Sequence, residues 1–244
     1  RMNILYVVGI GPGGKSGMTF DADAAISSAD IIVGYTKYIE LIKEAYPEKL
    51  FYSTPMLKEK ERCEKALSYA AAGKITAVVC SGDSGVYGMA SLIFELAGED
   101  NSIDIIIVPG VTAALSGAAL LGSPLGHDFA VISLSDLLTP WETIEKRLSL
   151  AAEGDFCICL YNPSSRRRYN YLQKACDILL CKLPETTLCG IAQNIGRVGE
   201  NKLITTLGGL RNIEVDMFST VFIGNSQTKL IGGKMVTPRG YKNV

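Results

Sequence analysis

Within nine residues the run Cys80-Ser81-Gly82-Asp83-Ser84-Gly85-Val86-Tyr87-Gly88 gathers one carboxylate, two serine hydroxyls and three glycines. Glycine lets the main chain come close to a ligand, and Asp83 stands beside it as an acceptor. An ordinary strand-to-helix turn, with Asp83 or Ser84 capping the helix, would look much the same. Two other junctions share this character, Gly9-Ile10-Gly11-Pro12-Gly13-Gly14 and Pro109-Gly110-Val111-Thr112-Ala113-Ala114. The first has the G-x-G-x-x-G spacing of dinucleotide loops. However, Pro12 removes an amide where a pyrophosphate would need one. The following strand also ends Gly34-Tyr35-Thr36 rather than in an acid that could hold a ribose, and Asp30 lies at its wrong end. A nicotinamide-dependent oxidoreductase is therefore the lesser alternative.

Other polar groups fall at strand ends. Tyr35-Thr36-Lys37-Tyr38 sets hydroxyls and an amine at the start of a helix, suiting either a polar substrate site or a plain amphipathic start. The only histidine, His127, sits between the two halves and could act as a general base or make a structural hydrogen bond. Tyr161-Asn162-Pro163 precedes Arg166-Arg167-Arg168, and Ala192-Gln193-Asn194 precedes Arg197. Consecutive arginines could meet carboxylates or phosphates; at a helix start they would oppose its dipole.

These groups need a framework of alternating strands and helices. Asn3–Val8, Ile31–Gly34, Thr76–Cys80 and Ile103–Val108 read as strands of a parallel sheet covered on both faces. Ala22–Ser28, Lys37–Ala45, Lys58–Ala72, Val86–Ala97 and Ala113–Leu121 read as helices. Gly122-Ser123-Pro124-Leu125-Gly126 interrupts the pattern, giving expected domains 1–125 and 126–244. The second half repeats the logic with strand Phe129–Leu134, helix Trp141–Ala152, strand Phe156–Tyr161 and helix Arg167–Lys182. A strand at Leu188–Ala192 and a final one at Thr220–Gly224 complete it.

Composition narrows the class. With 244 residues, 48% of them hydrophobic, a sizeable core is available. Lys+Arg 24 against Asp+Glu 25 leaves no global positive field, so nucleic acid is not an expected partner. No apolar run reaches the length of a membrane span, and no signal pattern opens the chain, so membrane is not expected and the location reads as cytoplasmic. The seven cysteines include no CxxC pair and read as reduced, mostly core thiols.

Taken in order, Gly9-Ile10-Gly11-Pro12-Gly13, Ser81-Gly82-Asp83, Pro109-Gly110-Val111-Thr112-Ala113 and Ala192 resemble the tetrapyrrole methylases, S-adenosylmethionine-dependent enzymes. Val33-Gly34-Tyr35, Gly82 to Ala90, Gly126-His127-Asp128-Phe129, Ser133 to Trp141 and Leu160-Tyr161-Asn162-Pro163 are similar to the members that act at C-17 of precorrin-3B or cobalt-factor III. The resemblance spans essentially the whole chain. It implies two α/β domains with the active site in a cleft between them, usually in a homodimer. It also implies methyl transfer with ring contraction in cobalamin biosynthesis. By motif, Pro12, Ser81, Gly82, Asp83, Val86, Thr112, Ala113, Tyr161, Asn162 and Ala192 would contact S-adenosylmethionine. Related uroporphyrinogen methylases carry an aspartate where this chain has Gly34-Tyr35, so no catalytic acid or base carries over. Tyr35 and His127 remain as the chain's own catalytic candidates. Lys37, Arg166, Arg167, Arg168 and Arg197 would meet the carboxylates of the tetrapyrrole, an inference from charge rather than from the family. Some relatives have a further cysteine-bearing region for an iron–sulfur cluster; none is recognised here, so no metal is expected. A corrinoid carrier, or another methylase of the same fold, is the competing reading.

Overall fold

Alternate apolar residues along the first strands feed two separate cores, as a sheet covered on both faces demands. The computed structural model describes residues 3–99 and 102–242, and the chain forms two units, Arg1–Ala113 and Ala114–Val244. The first runs β1 (Asn3–Gly9), α1 (Phe20–Ser28), β2 (Ile31–Tyr35), α2 (Thr36–Ile42), β3 (Leu50–Thr54), α3 (Glu59–Ala71), β4 (Thr76–Cys80), α4 (Ala90–Ala97) and β5 (Ile103–Val108). Its strands are all parallel, in the order β3-β2-β4-β1-β5. Val8, Ile32, Ala77 and Val79 share one core with Ile26 of α1 and Ile39 and Ile42 of α2. Leu5, Val7, Val33 and Val78 share the other with Cys63 and Ala66 of α3 and Ile93 of α4. Each fully buried aliphatic side chain is worth about 1.5–3 kcal/mol of hydrophobic stabilisation. β5 is the edge strand, with Asp104 exposed, yet Ile106 and Val108 join one core and Ile103 and Ile105 the other.

Sheet order determines where a ligand can enter. The chain leaves β1 through α1 on one face towards β2, and leaves β4 through α4 on the other face towards β5. The winding therefore reverses between β1 and β4, and the loops at their carboxyl ends lead to helices on opposite faces of the sheet.

The second unit runs α5 (Ala113–Leu121), β6 (Gly122–Ser123), β7 (Phe129–Ser133), α6 (Trp141–Glu153), β8 (Cys157–Tyr161), α7 (Tyr171–Leu180), β9 (Leu188–Gln193), β10 (Asn201–Thr206), α8 (Leu207–Leu210), β11 (Ser219–Ile223), β12 (Lys229–Ile231) and β13 (Lys234–Val236). Its main sheet, β10-β9-β11-β8-β7, is mixed: β7 and β8 are parallel, the other pairings antiparallel. The strand–helix logic thus restarts as expected through β8 and then gives way to antiparallel pairing. Ala114, Ala118 and Leu121 of α5 share a core with Cys159, Ala192, Phe222 and Met235. β6 pairs with β13, and the Thr237 amide donates to the Ser123 carbonyl at 3.0 Å. Hence α5 and the Gly122–Gly126 segment, which the sequence assigned to the end of the first domain and its boundary, pack with the second unit.

Other elements also depart from expectation. α4 begins at Ala90 rather than Val86, and α7 at Tyr171 rather than Arg167. β11 is not the last strand, and β3, β6, β10, β12 and β13 add to those expected. Six of the seven cysteines are buried and all are free, Cys181 alone being exposed; burial pushes the Cys63 and Cys159 thiols up to about 12.

Beside α1 the Tyr46 hydroxyl donates to Asp23 Oδ1 at 2.5 Å, and Lys15 Nζ lies 3.0 Å from the same oxygen. The Tyr46 bond, then the Lys15 contact, hold the Asp23 carboxyl below its usual value. A depressed carboxyl stabilises the fold above its unfolded value, and that stability is lost as pH falls through the folded one. Tyr46→Phe should cost about 1 kcal/mol at neutral pH. The deficit should shrink as pH falls below about 4, as urea midpoints measured across the acid range will show.

Candidate active site

Three loops leave the carboxyl ends of β1, β4 and β5 and touch through main chain. The Ile10 amide donates to the Cys80 carbonyl at 2.9 Å. Gly11 and Gly82 exchange two bonds, Gly11 N to Gly82 O at 3.0 Å and Gly82 N to Gly11 O at 2.8 Å. A Cβ on Gly9 would lie 2.6 Å from the Gly82 oxygen and 2.7 Å from the Gly110 nitrogen, which no side chain tolerates. Gly82 itself has φ +66°, in the left-handed region glycine enters at no cost. The Gly9–Gly14 loop does not run into a helix, since α1 begins only at Phe20 after a 3₁₀ turn at Lys15–Gly17. The helix N-terminus that a dinucleotide loop offers a pyrophosphate is therefore not placed behind it.

Asp83 locks this junction. Its Oδ2 accepts from the Gly85 and Val86 amides at 2.8 and 3.1 Å, and its Oδ1 accepts from the Gly110 amide at 2.9 Å. Buried Ser84 donates to the Val108 carbonyl at 3.1 Å. Neither side chain caps α4, whose N-cap position is Met89. The amides of Gly85 and Val86 are turned to Asp83, and Tyr87 has φ +54°, so the helix cannot start before Ala90. Pro12, Ser81, Gly82, Asp83, Val86, Thr112 and Ala113 are thus brought together on three adjoining loops.

The ends of β2 and β3 form the rest of the same rim. Tyr35 meets Tyr38 edge-to-face at 5.0 Å, and the Thr36 hydroxyl donates to the Thr54 carbonyl at 3.1 Å. Lys37 is exposed and pairs with Glu40 at 3.3 Å. Arg62 of α3 also reaches this rim, a buried cation that the sequence hides among the charged positions of its helix.

In the second unit the carboxyl ends of β7, β8 and β9 lie at one edge. The Ala114 amide donates to the Tyr161 hydroxyl at 2.6 Å, so this tyrosine anchors the first turn of α5. Asn162, at φ +52°, donates from Nδ2 to Ser133 Oγ at 2.9 Å. Ala192, in β9 between β10 and β11, is fully buried and packs in the core shared with α5. Arg166 and Arg167 are exposed in the loop before α7. Arg168 turns inward, with Nη1 3.6 Å from Asp136 Oδ1, while the Tyr171 hydroxyl donates to Asp136 Oδ2 at 2.6 Å. That hydroxyl above all, with Arg168 beside it, holds the Asp136 carboxyl below its usual value. Arg197 lies over the Phe218 ring at 5.9 Å. His127 stands apart: it is exposed before the amino end of β7, about 13–17 Å along the strand from the Ser133 rim. Among the described residues no group of three or more His, Cys, Asp or Glu could hold a metal ion.

The contact of Gly9 with two loops makes a test. Gly9→Ala should lower stability by about 1–3 kcal/mol through main-chain clash, read as a fall in the urea midpoint; an unchanged midpoint would mean the loops part freely.

Residues 4–211 match the family model of the tetrapyrrole (corrin/porphyrin) methylases. The Salmonella typhimurium protein named "Probable cobalt-factor III C(17)-methyltransferase" is 46% identical over 239 residues, 98% of this chain and 99% of that one. The crystal structure of the methyltransferase CobJ superposes with a TM-score of 0.86 at 35% identity, covering 96% of this chain and 99% of the other. A uroporphyrin-III C-methyltransferase from Thermus thermophilus, solved with S-adenosylhomocysteine, shares the fold at a TM-score of 0.70 and 17% identity, covering 90% of this chain and 96% of that one. With a glycine junction at the reversal of its first sheet and this likeness along nearly its whole length, the chain belongs to the tetrapyrrole (corrin/porphyrin) methylase family.

Proposed function

We propose that this protein transfers a methyl group from S-adenosylmethionine to C-17 of cobalt-factor III, with contraction of the macrocycle, in cobalamin biosynthesis. The observation that carries this reading is the 46% identity, end to end, with the Salmonella protein. The loops fit such a donor: glycine, serine, threonine and alanine at positions 81, 82, 85, 112 and 113 leave main chain open to it. Pro12, Ser81, Gly82, Val86, Thr112 and Ala113 would hold it in the first unit, and the Tyr161, Asn162 and Ala192 segments in the second. When bound, the sulfonium supplies an already activated methyl group. What remains for the protein is alignment of donor and acceptor carbon and exclusion of water.

Asp83 acts at one remove, by fixing the Gly85, Val86 and Gly110 amides. Tyr35, on the rim beside the junction, is the candidate acid–base group; His127, before the amino end of β7 and so away from the Ser133 rim of its own unit, is the weaker one. Lys37, Arg166, Arg167 and Arg197 would face the carboxylates of the ring. The proposal includes a homodimer, for which Phe20 and Leu138, 95% and 98% exposed, offer apolar surface. It also includes a reducing, cytoplasmic compartment, in keeping with seven free cysteines.

Methyl-labelled S-adenosylmethionine incubated with cobalt-factor III, and separately with precorrin-3B and oxygen, tests the reading by mass analysis of the ring. Labelled cobalt-factor III is expected; label on precorrin-3B alone would move the substrate, and label on neither would overturn the reading. Asp83→Asn should raise the dissociation constant for S-adenosylhomocysteine about tenfold or more, through lost bonds to a charged group, in calorimetry on a protein that still unfolds cooperatively.

A further inference from the structure

Arg62 is only 4% exposed, yet among the described residues no carboxylate stands within salt-bridge reach of it. Its Nε donates to the Thr54 hydroxyl at 3.0 Å and its Nη2 to the Pro55 carbonyl at 3.3 Å. Its Nη1 has only the Met89 sulfur, at 3.8 Å. A thioether is a poor acceptor, and a guanidinium carries five N–H groups, so the cation is under-satisfied. Two of the three acids of its own helix look elsewhere: Glu61 takes Lys58 and the Tyr52 hydroxyl, and Glu64 takes Lys60. Burying a cation without an anion is costly, and such a residue is kept where something completes it.

The position indicates what that is. Thr54 ends β3 and Pro55 follows it, Tyr35 ends β2 with its ring 5.9 Å from the guanidinium, and Met89 belongs to the loop after β4. All stand on the carboxyl rim of the first sheet, beside the Gly11–Gly82 junction. Met89 is half-buried and flexible, the sort of side chain that yields to a ligand. We infer that Arg62 anchors one carboxylate of the anionic macrocycle, which displaces the Met89 thioether and accepts from Nη1. This rests on the tetrapyrrole reading above. It deepens that reading by placing a specificity contact on α3, away from the exposed arginines. The planar fork of arginine suits a carboxylate better than the point charge of lysine.

The probes are cobalt uroporphyrin III, an octacarboxylate ring, and its octamethyl ester, titrated by absorbance against wild type, Arg62→Met and Arg62→Lys. S-adenosylhomocysteine binding is measured on each as a check of the donor loops. Wild type should prefer the free acid. Arg62→Met should lose about tenfold or more of its affinity for the acid, with ester and S-adenosylhomocysteine binding unchanged, and Arg62→Lys should fall between. If Arg62→Met keeps the wild-type preference, or weakens acid and ester alike, the anchor is refuted. Loss of S-adenosylhomocysteine binding in both variants would make Arg62 a brace for the fold and also refute it. A wild type that binds neither ring would overturn the tetrapyrrole reading and the anchor together, an outcome distinct from the others.

Discussion

One carboxylate holds three main-chain amides from two loops, and the architecture of the first unit converges on it. Asp83 takes Gly85 and Val86 from its own turn and Gly110 from the loop after β5. Left without a partner, each of these amides would cost about 1–3 kcal/mol wherever water could not replace the carboxylate. β1 lies between β4 and β5, so the Gly9–Gly11 segment is enclosed by the two loops that Asp83 ties together. The absence of side chains at Gly9, Gly82 and Gly110 lets three backbones occupy a space that two would otherwise fill. A loop fixed in this way is pre-organised, so a ligand bound by main-chain groups pays little to order them.

The second unit solves a different problem with similar parts. Its first strand pair is parallel, but β9 and β11 are reached by antiparallel steps, and the sheet carries helices α6 and α7 on one face and α5 on the other. Small residues on α5 permit this: Gly117 lies against the Phe222 ring, so close that a Cβ would sit 2.8 Å from it. Tyr161 then spends its hydroxyl on the Ala114 amide, one of the donors a helix start leaves unpaired. Residues read from the sequence as ligand contacts, Asp83 and Tyr161 among them, are therefore also the ties that shape their own loops.

Much of this was legible in residue order. The strand Thr76–Cys80 was read to the residue, because β-branched and small apolar residues run unbroken between a lysine and a glycine turn. The glycine junctions were legible for the same reason, since few other residues suit a tight turn after a strand. Misreadings have local causes. Apolar spacing from Val86 suggested helix, but Asp83 captures the amides that a helix would use. β10 opens with Asn201 and Lys202 and serves as an edge, so its polar start concealed it. The β12–β13 hairpin did carry a signal, Gly232-Gly233 between two short apolar runs, both with positive φ as a type I′ turn requires. Arg62 carried none, because a single arginine in Glu59–Ala71 looks like one more solvated charge until its burial is seen.

The pairing of β6 with β13 bears on how the polypeptide matures. Met235 docks against Gly122, closing a loop of roughly a hundred residues. On a ribosome the first sheet can assemble once β5 has emerged, whereas α5 gains Cys159, Ala192 and Phe222 only as β8, β9 and β11 follow, and its core is complete only when Met235 of the distant hairpin arrives. The nascent chain thus passes through a long interval with a finished front half and an unsealed back half. The exit tunnel and its chaperones would meet that intermediate first.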